Sequence, residues 1–97
     1  MILMISQPMR GKTQEQINEE RNELVKDLTR KGHIVANTVF EEEPPETNNA
    51  GIWYLAKSID AMSGVDGVVF MKGWENARGC RIEHDIAVAY GLFVKEL

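Results

Sequence analysis

Residues 66–71 read Asp-Gly-Val-Val-Phe-Met, and this run constrains the fold more than any other stretch. A strand that is apolar at every position has no face to give to water. It must lie inside a sheet that is covered on both sides. Residues 1–6, Met-Ile-Leu-Met-Ile-Ser, repeat the pattern and stop at Gln7-Pro8. Two such runs in a short chain point to a parallel sheet with helices on each face.

The intervening stretches have helical periodicity. Thr13-Gln14-Glu15-Gln16 is a capping-box pattern, and Glu15, Glu19 and Glu20 suit the positive end of a helix. Ile17, Leu24, Val25 and Leu28 form its apolar stripe, Arg30 and Lys31 sit at its end, and Gly32 stops it. A second helix is expected over 50–62, with Ile52, Leu55, Ile59 and Met62 on one face and Gly64 after it. A third is expected over 79–90, with Ile82, Ile86 and Ala89 packing on the sheet. Residues 33–36 read as strand two, extendable through Thr38, Val39 and Phe40, and 92–94 as a short strand four. Between them, 41–49 (Glu-Glu-Glu-Pro-Pro-Glu-Thr-Asn-Asn) is expected to be a solvated loop. Strand alternating with helix predicts a single α/β domain over 1–97. Its expected form is a small doubly wound parallel sheet, flavodoxin-like or Rossmann-like, of order 2-1-3-4 with three helices.

Composition narrows the function. A net charge of -4 and the absence of a basic, aromatic-interleaved stripe argue against nucleic-acid binding. Cys80 is the only cysteine, so an internal disulfide is ruled out and a reducing compartment is the simpler expectation. The apolar run at the start is too short for a signal peptide or a membrane span, so a cytoplasmic location is expected. No His/Cys/Asp cluster has metal-ligand spacing, and neither a metal nor a cofactor is expected.

In an open doubly wound sheet, ligands bind beyond the carboxyl ends of the strands, where strand order reverses. For order 2-1-3-4 that point lies between strands one and three. The loops there are 7–12 and 72–79. Loop 7–12 sets backbone N–H groups at a helix start beside Arg10 and Lys12, which suits an anion; solvated loop charges are the other reading. Gly11-Lys12-Thr13 is also like the end of a P-loop, but Ser6 stands where that motif has its first glycine and Pro8 removes an N–H. Glu83 lies early in the third helix beside its apolar stripe. Periodicity alone reads it as a helix-start glutamate stabilised by the dipole. His84 points away from it and reads as a surface histidine, and Cys80 as a buried or bystander thiol.

Three strings resemble one family. Ser6-x-Pro8-Met9-x-Gly11, Asp66-Gly-Val-Val-Phe70 and Gly73-Trp-Glu-Asn-Ala-Arg-Gly79-x-x-x-Glu83 are similar to the nucleoside 2-deoxyribosyltransferase-like superfamily, closest to its small phage and bacterial members. The resemblance spans about residues 2–91. It implies a nucleoside or nucleoside 5′-monophosphate ligand, with Glu83 attacking the anomeric carbon. The sugar and any 5′-phosphate would then sit on Ser6, Gln7, Pro8, Met9, Arg10, Gly11 and Lys12, and on Trp74, Asn76, Ala77, Arg78 and Gly79. Arg10, Lys12, Asn76, Arg78 and Glu83 are expected to converge on one crevice with Trp74 at its rim. Two positions depart from the superfamily pattern. An aspartate expected eight residues before Asp66 is Ser58, leaving Asp60 as the nearest carboxylate, and an Asp or Ser six residues before Glu83 is Ala77. N-glycosidic cleavage or deoxyribosyl transfer is therefore one reading. A non-catalytic nucleotide-sensing module and a P-loop-like phosphate binder are the others.

Counting helices gives an expectation about assembly. One helix lies on one face of the sheet and two on the other, so a single helix is expected to leave one side of strand three wet. A homo-oligomer, most simply a dimer, is expected to cover that patch, with Trp53 and Tyr54 as further contact candidates.

Overall fold

A computed structural model describes residues 1–38 and 43–97 of the chain. Its elements are β1 (Ile2–Ser6), α1 (Gln14–Arg30), β2 (Ile34–Val35), α2 (Ala50–Met62), β3 (Gly67–Phe70), a 3₁₀ turn (Trp74–Asn76), α3 (Arg78–Ala89) and β4 (Phe93–Glu96). The strands form one parallel sheet of order β2-β1-β3-β4, as the alternation of strands and helices predicts. The extension of strand two through Val39 and Phe40, and the start of the acidic loop at Glu41 and Glu42, lie outside the described residues.

Local chemistry explains where the helices begin and end. At the start of α1, Gln16 N donates to Thr13 Oγ1 at 3.1 Å and Thr13 N donates to Gln16 Oε1 at 2.9 Å, closing the capping box. Both α1 and α3 end in the same way. His33 N donates back to Leu28 O and Gly32 N to Thr29 O; Leu92 N donates to Ala87 O and Gly91 N to Val88 O. These are paired Schellman bonds, and they require the left-handed glycines Gly32 (φ 90°) and Gly91 (φ 70°). Each cap turns the chain directly into the next strand. Asn49 caps α2 by accepting from Ile52 N at 3.0 Å. Among the described residues no helix is long and apolar enough to cross a membrane.

The core has two layers, set by strand alternation. Leu3, Ile5 and Val69 face α1 and pack with Leu28, Leu24 and Val25. Met4, Val68 and Phe70 face the other way, against Met62 of α2 and Ala87 of α3. The buried stripe of α3 is Cys80, Glu83 and Ala87, which corrects the expected Ile82–Ile86–Ala89 face. Cys80 and Ala87 are small and let the helix settle close to the sheet, Ile82 and Ile86 flank it half-buried, and Ala89 is exposed.

The expected wet side of strand three is also corrected. Val69 is 1% exposed in the single chain. Leu3, Ile5 and the Leu24, Val25 and Leu28 stripe of α1 cover it, and beside it Phe93 packs against Gly67. A Cβ on Gly67 would lie 2.7 Å from Phe93 O and 2.9 Å from the Phe93 ring. The glycine is what admits that ring. Exposed apolar residues include Ile52 (63%) and Ile59 (37%), two turns apart on α2, and Ile34 (66%) and Phe93 (43%) on the edge strands.

Gly67→Ala is therefore expected to cost about 1–3 kcal/mol, because a backbone oxygen rather than a flexible side chain must give way. Gly64→Ala meets only an ordinary 3.8 Å contact and is expected to be neutral or slightly stabilising. Urea denaturation of the two variants checks the contrast.

Candidate functional site

Strand β1 delivers two polar residues to the carboxyl edge of the sheet, and its alternation sends them to opposite layers. Ser6 points with Met4 toward α3; Gln7 turns toward α1. Both are buried, at 2% and 8% exposure. Ser6 Oγ donates to Glu83 Oε1 at 3.1 Å. Gln7 Nε2 donates to Ile17 O at 2.8 Å, while Gln7 Oε1 is buried with no partner among the described residues. An acceptor left unpaired in that way is costly and marks a place built for a donor.

Glu83 itself is 8% exposed. Burial pushes its carboxyl up to about 7, and the hydrogen bond from Ser6 offsets only part of that rise. The neighbouring Cys80 thiol is also pushed up, mainly by burial, with its side-chain contact to Ser6 opposing the rise and the Glu83 charge adding to it. Cys80 is thus a buried, protonated thiol and a poor nucleophile.

These residues open onto a cavity of about 480 Å³, large enough for a small organic ligand. It lies at the end of β1 between the two helical layers. One wall is the Gln14, Ile17, Asn18 and Arg21 stripe of α1, and Thr38 after β2 extends it. The other wall is Tyr54, Leu55 and Ser58 of α2 with Cys80 and Glu83 of α3; Ile5, Gln7 and Met9 form the floor and lip. Arg21 Nη2 donates to Thr38 Oγ1 at 3.2 Å, and burial draws the guanidinium below its ordinary pKa.

The two loops expected at the site do meet. Pro8 Cγ lies 3.9 Å from the point a Gly73 Cβ would occupy, and Met71 N donates to Ser6 O at 3.0 Å. Of the expected binding residues, however, only Gln7 and Met9 join Glu83 in lining the cavity, with Ser6 behind the carboxylate. Arg10, Gly11, Asn76 and Arg78 are exposed outside it, and Pro8, Ala77 and Gly79 are half-buried outside it. Lys12 is spent on Glu20 at 2.7 Å. Trp74 stacks on His84 at 4.1 Å and packs on the core, away from the rim. His84 is therefore no bare surface residue: it meets the Phe70 ring edge-on and pairs with Glu96 at 2.8 Å. Asp60 is exposed on α2 and does not line the cavity, whereas Ser58 does. Among the described residues no three His, Cys, Asp or Glu side chains come together as a metal site.

Arg21, Thr38, Asn18 and Gln14 were not marked by the sequence reading. One signal was available: Arg21 lies four residues after Ile17 and four before Val25, within the apolar stripe of α1. A charge on a buried stripe is a candidate for function.

The family model described as "Domain of unknown function (DUF4406)" matches residues 1–96. The chain belongs to this family. No curated protein and no solved structure matches it. The DUF4406 domain described here therefore has to be read from its own chemistry, and the buried carboxyl is the place to begin.

A raised carboxyl pKa has a direct consequence for stability. Between about 4.5 and 7 the folded state holds a proton on Glu83 that the unfolded chain releases, so stability falls as pH rises through that window. Glu83→Gln keeps the acceptor for Ser6 and has no charge to bury. The variant is expected to be more stable than the parent at pH 8, by on the order of 2 kcal/mol. The difference should close near pH 4.5. Chemical denaturation of both proteins across that range measures it; equal stabilities at pH 8 would contradict the raised pKa.

Proposed function

We propose that this DUF4406 domain binds a nucleoside or nucleoside 5′-monophosphate in the cavity and acts on its N-glycosidic bond through Glu83. The observation that carries the reading is a single buried carboxyl, held by Ser6, facing a cavity of nucleotide size. In its charged form a Glu83 oxygen attacks the anomeric carbon. The glycosidic bond breaks, and the base departs with its electron pair and takes a proton from solvent. Water or a second base then displaces the carboxylate from the sugar, giving hydrolysis or transfer. The similarity of the three sequence strings to the nucleoside 2-deoxyribosyltransferase-like superfamily supports the same assignment.

A second reading has its own observation. Glu83 is the only carboxylate lining the cavity among the described residues, with Ser58 and Ala77 where that superfamily carries acidic or hydroxyl groups. A missing general acid removes roughly 10²–10⁴ in rate. Under this reading the domain senses a nucleotide without cleaving it. In the P-loop-like alternative Lys12 would hold a phosphate, and its pairing with Glu20 weighs against that.

Incubation with the deoxynucleosides and their 5′-monophosphates, followed by chromatography for free base, separates these readings. Release is expected to rise with pH to a plateau above about 7, because only the carboxylate attacks. Glu83→Gln is expected to reduce it to background. Release unaffected by that substitution would remove Glu83 from the chemistry, and binding without release would favour sensing.

We further propose that the exposed Ile52 and Ile59 on α2 meet a second copy of the chain. Sedimentation equilibrium is then expected to give twice the 11.0 kDa chain mass, and an 11.0 kDa species at micromolar concentration would contradict it.

A further inference from the structure

Charge on the cavity wall is unevenly matched. Arg21 and Glu83 are its only charged lining residues among those described, and they belong to opposite helical layers. Helix α1 is rich in carboxylates, yet none is placed to serve Arg21. Glu20 is taken by Lys12 at 2.7 Å, and Asp27 by Lys31 at 3.0 Å. The helical neighbours of Arg21 at three and four residues are Ile17, Asn18, Leu24 and Val25, none of them acidic. Among the described residues its one partner is the hydroxyl of Thr38, and no carboxylate pairs with it. A half-buried guanidinium without an anion is costly, and its fork of donors matches a phosphate. Thr38 Oγ1 accepts from Arg21 and so keeps its own proton for a further acceptor. Asn18, hydrogen-bonded to Gln14 at 3.1 Å, stands on the same wall.

We propose that Arg21 and Thr38 form the phosphate-binding subsite of this cavity, so that the ligand is a phosphate monoester held on the α1 wall with its remaining part extending toward Glu83. The phosphate is thereby assigned to α1 instead of the two loops, whose Arg10, Asn76 and Arg78 are exposed and whose Lys12 is already neutralised. The unpartnered Gln7 Oε1 on the cavity floor supplies a separate acceptor for a hydroxyl or amino group of the same ligand. The inference deepens the nucleotide reading and rests on it for the identity of the attached group, but the phosphate subsite is testable without it.

Calorimetric titration of the full chain and of Arg21→Gln, Arg21→Lys and Lys12→Ala tests the assignment. The probes are inorganic phosphate, the four deoxynucleosides and their 5′-monophosphates. In the parent, monophosphates are expected to bind more tightly than nucleosides, with inorganic phosphate competing. Arg21→Gln is expected to weaken phosphate and monophosphate binding by roughly 10- to 100-fold, the value of a charge-assisted pair, and to leave nucleoside binding within a few-fold. Arg21→Lys, which keeps the charge and loses the fork, is expected to fall between. Phosphate binding that depends on Arg21 with no nucleoside bound keeps the subsite and discards the nucleotide reading. Absence of phosphate binding in the parent, equal binding in Arg21→Gln, or a loss that follows Lys12→Ala alone overturns the subsite.

Discussion

The hydrogen bond from Ser6 to Glu83 is the constraint around which the rest of this domain is arranged. It joins the end of the central strand β1 to the second turn of α3, and it places a carboxyl where the sheet, α2 and α3 exclude water. One hydroxyl does not replace the hydration that a carboxylate loses, so the proton is retained well above the ordinary range. Other features serve that contact. Cys80 and Ala87, one turn on either side of Glu83, are small enough to bring the helix down to the strand. The left-handed Gly73 lets the loop after β3 turn back against Pro8 before α3 begins. A core that merely needed filling would gain more from leucine at position 83.

The fold was legible because the elements announce themselves in redundant ways. The all-apolar runs ending at Ser6 and Met71, the Thr13–Gln16 box and the glycines at 32 and 91 each specify the same α/β order independently. The site was legible only in part. Glu83 was visible through its resemblance string and hidden by periodicity, since Ile82 and Ile86 draw the eye to a stripe that proves to be the flank. Arg10 and Lys12 stood out as loop cations beside a helix start, yet nothing in the chain order says that Lys12 folds back on Glu20. Arg21 went unmarked inside Glu-Glu-Arg-Asn-Glu, where charges are common, although its spacing from Ile17 and Val25 places it on the inner face. The residue that reaches the cavity is the charge out of phase with its surroundings, which only a wheel-by-wheel reading separates from solvated neighbours.

The correction at β3 follows from similar local detail. Helix counting treats every strand position as equal in size, and on that basis α1 leaves a wet edge. Gly67 breaks the equality. Without a side chain there, Phe93 packs directly against the Gly67 backbone, while Val69 is dry in a single chain because Leu3, Ile5 and the α1 stripe cover it. Exposed apolar surface is left on α2, at Ile52 and Ile59, and on the two edge strands, at Ile34 of β2 and Phe93 of β4.

The two walls of the cavity also make opposite electrostatic demands on one ligand. Arg21 on α1 favours negative charge, whereas a negative group beside Glu83 would hold that carboxyl in its protonated, unreactive form. A ligand anionic throughout would satisfy one wall and silence the other. One with its charge at a single end satisfies both, provided the charged end stays on α1 and a neutral, electrophilic carbon reaches α3. A phosphate monoester of a neutral sugar has that polarity. The end of β1 separates the two walls, sending Ser6 to one layer and Gln7 to the other, so Arg21 and the carboxyl stay on opposite sides of the cavity.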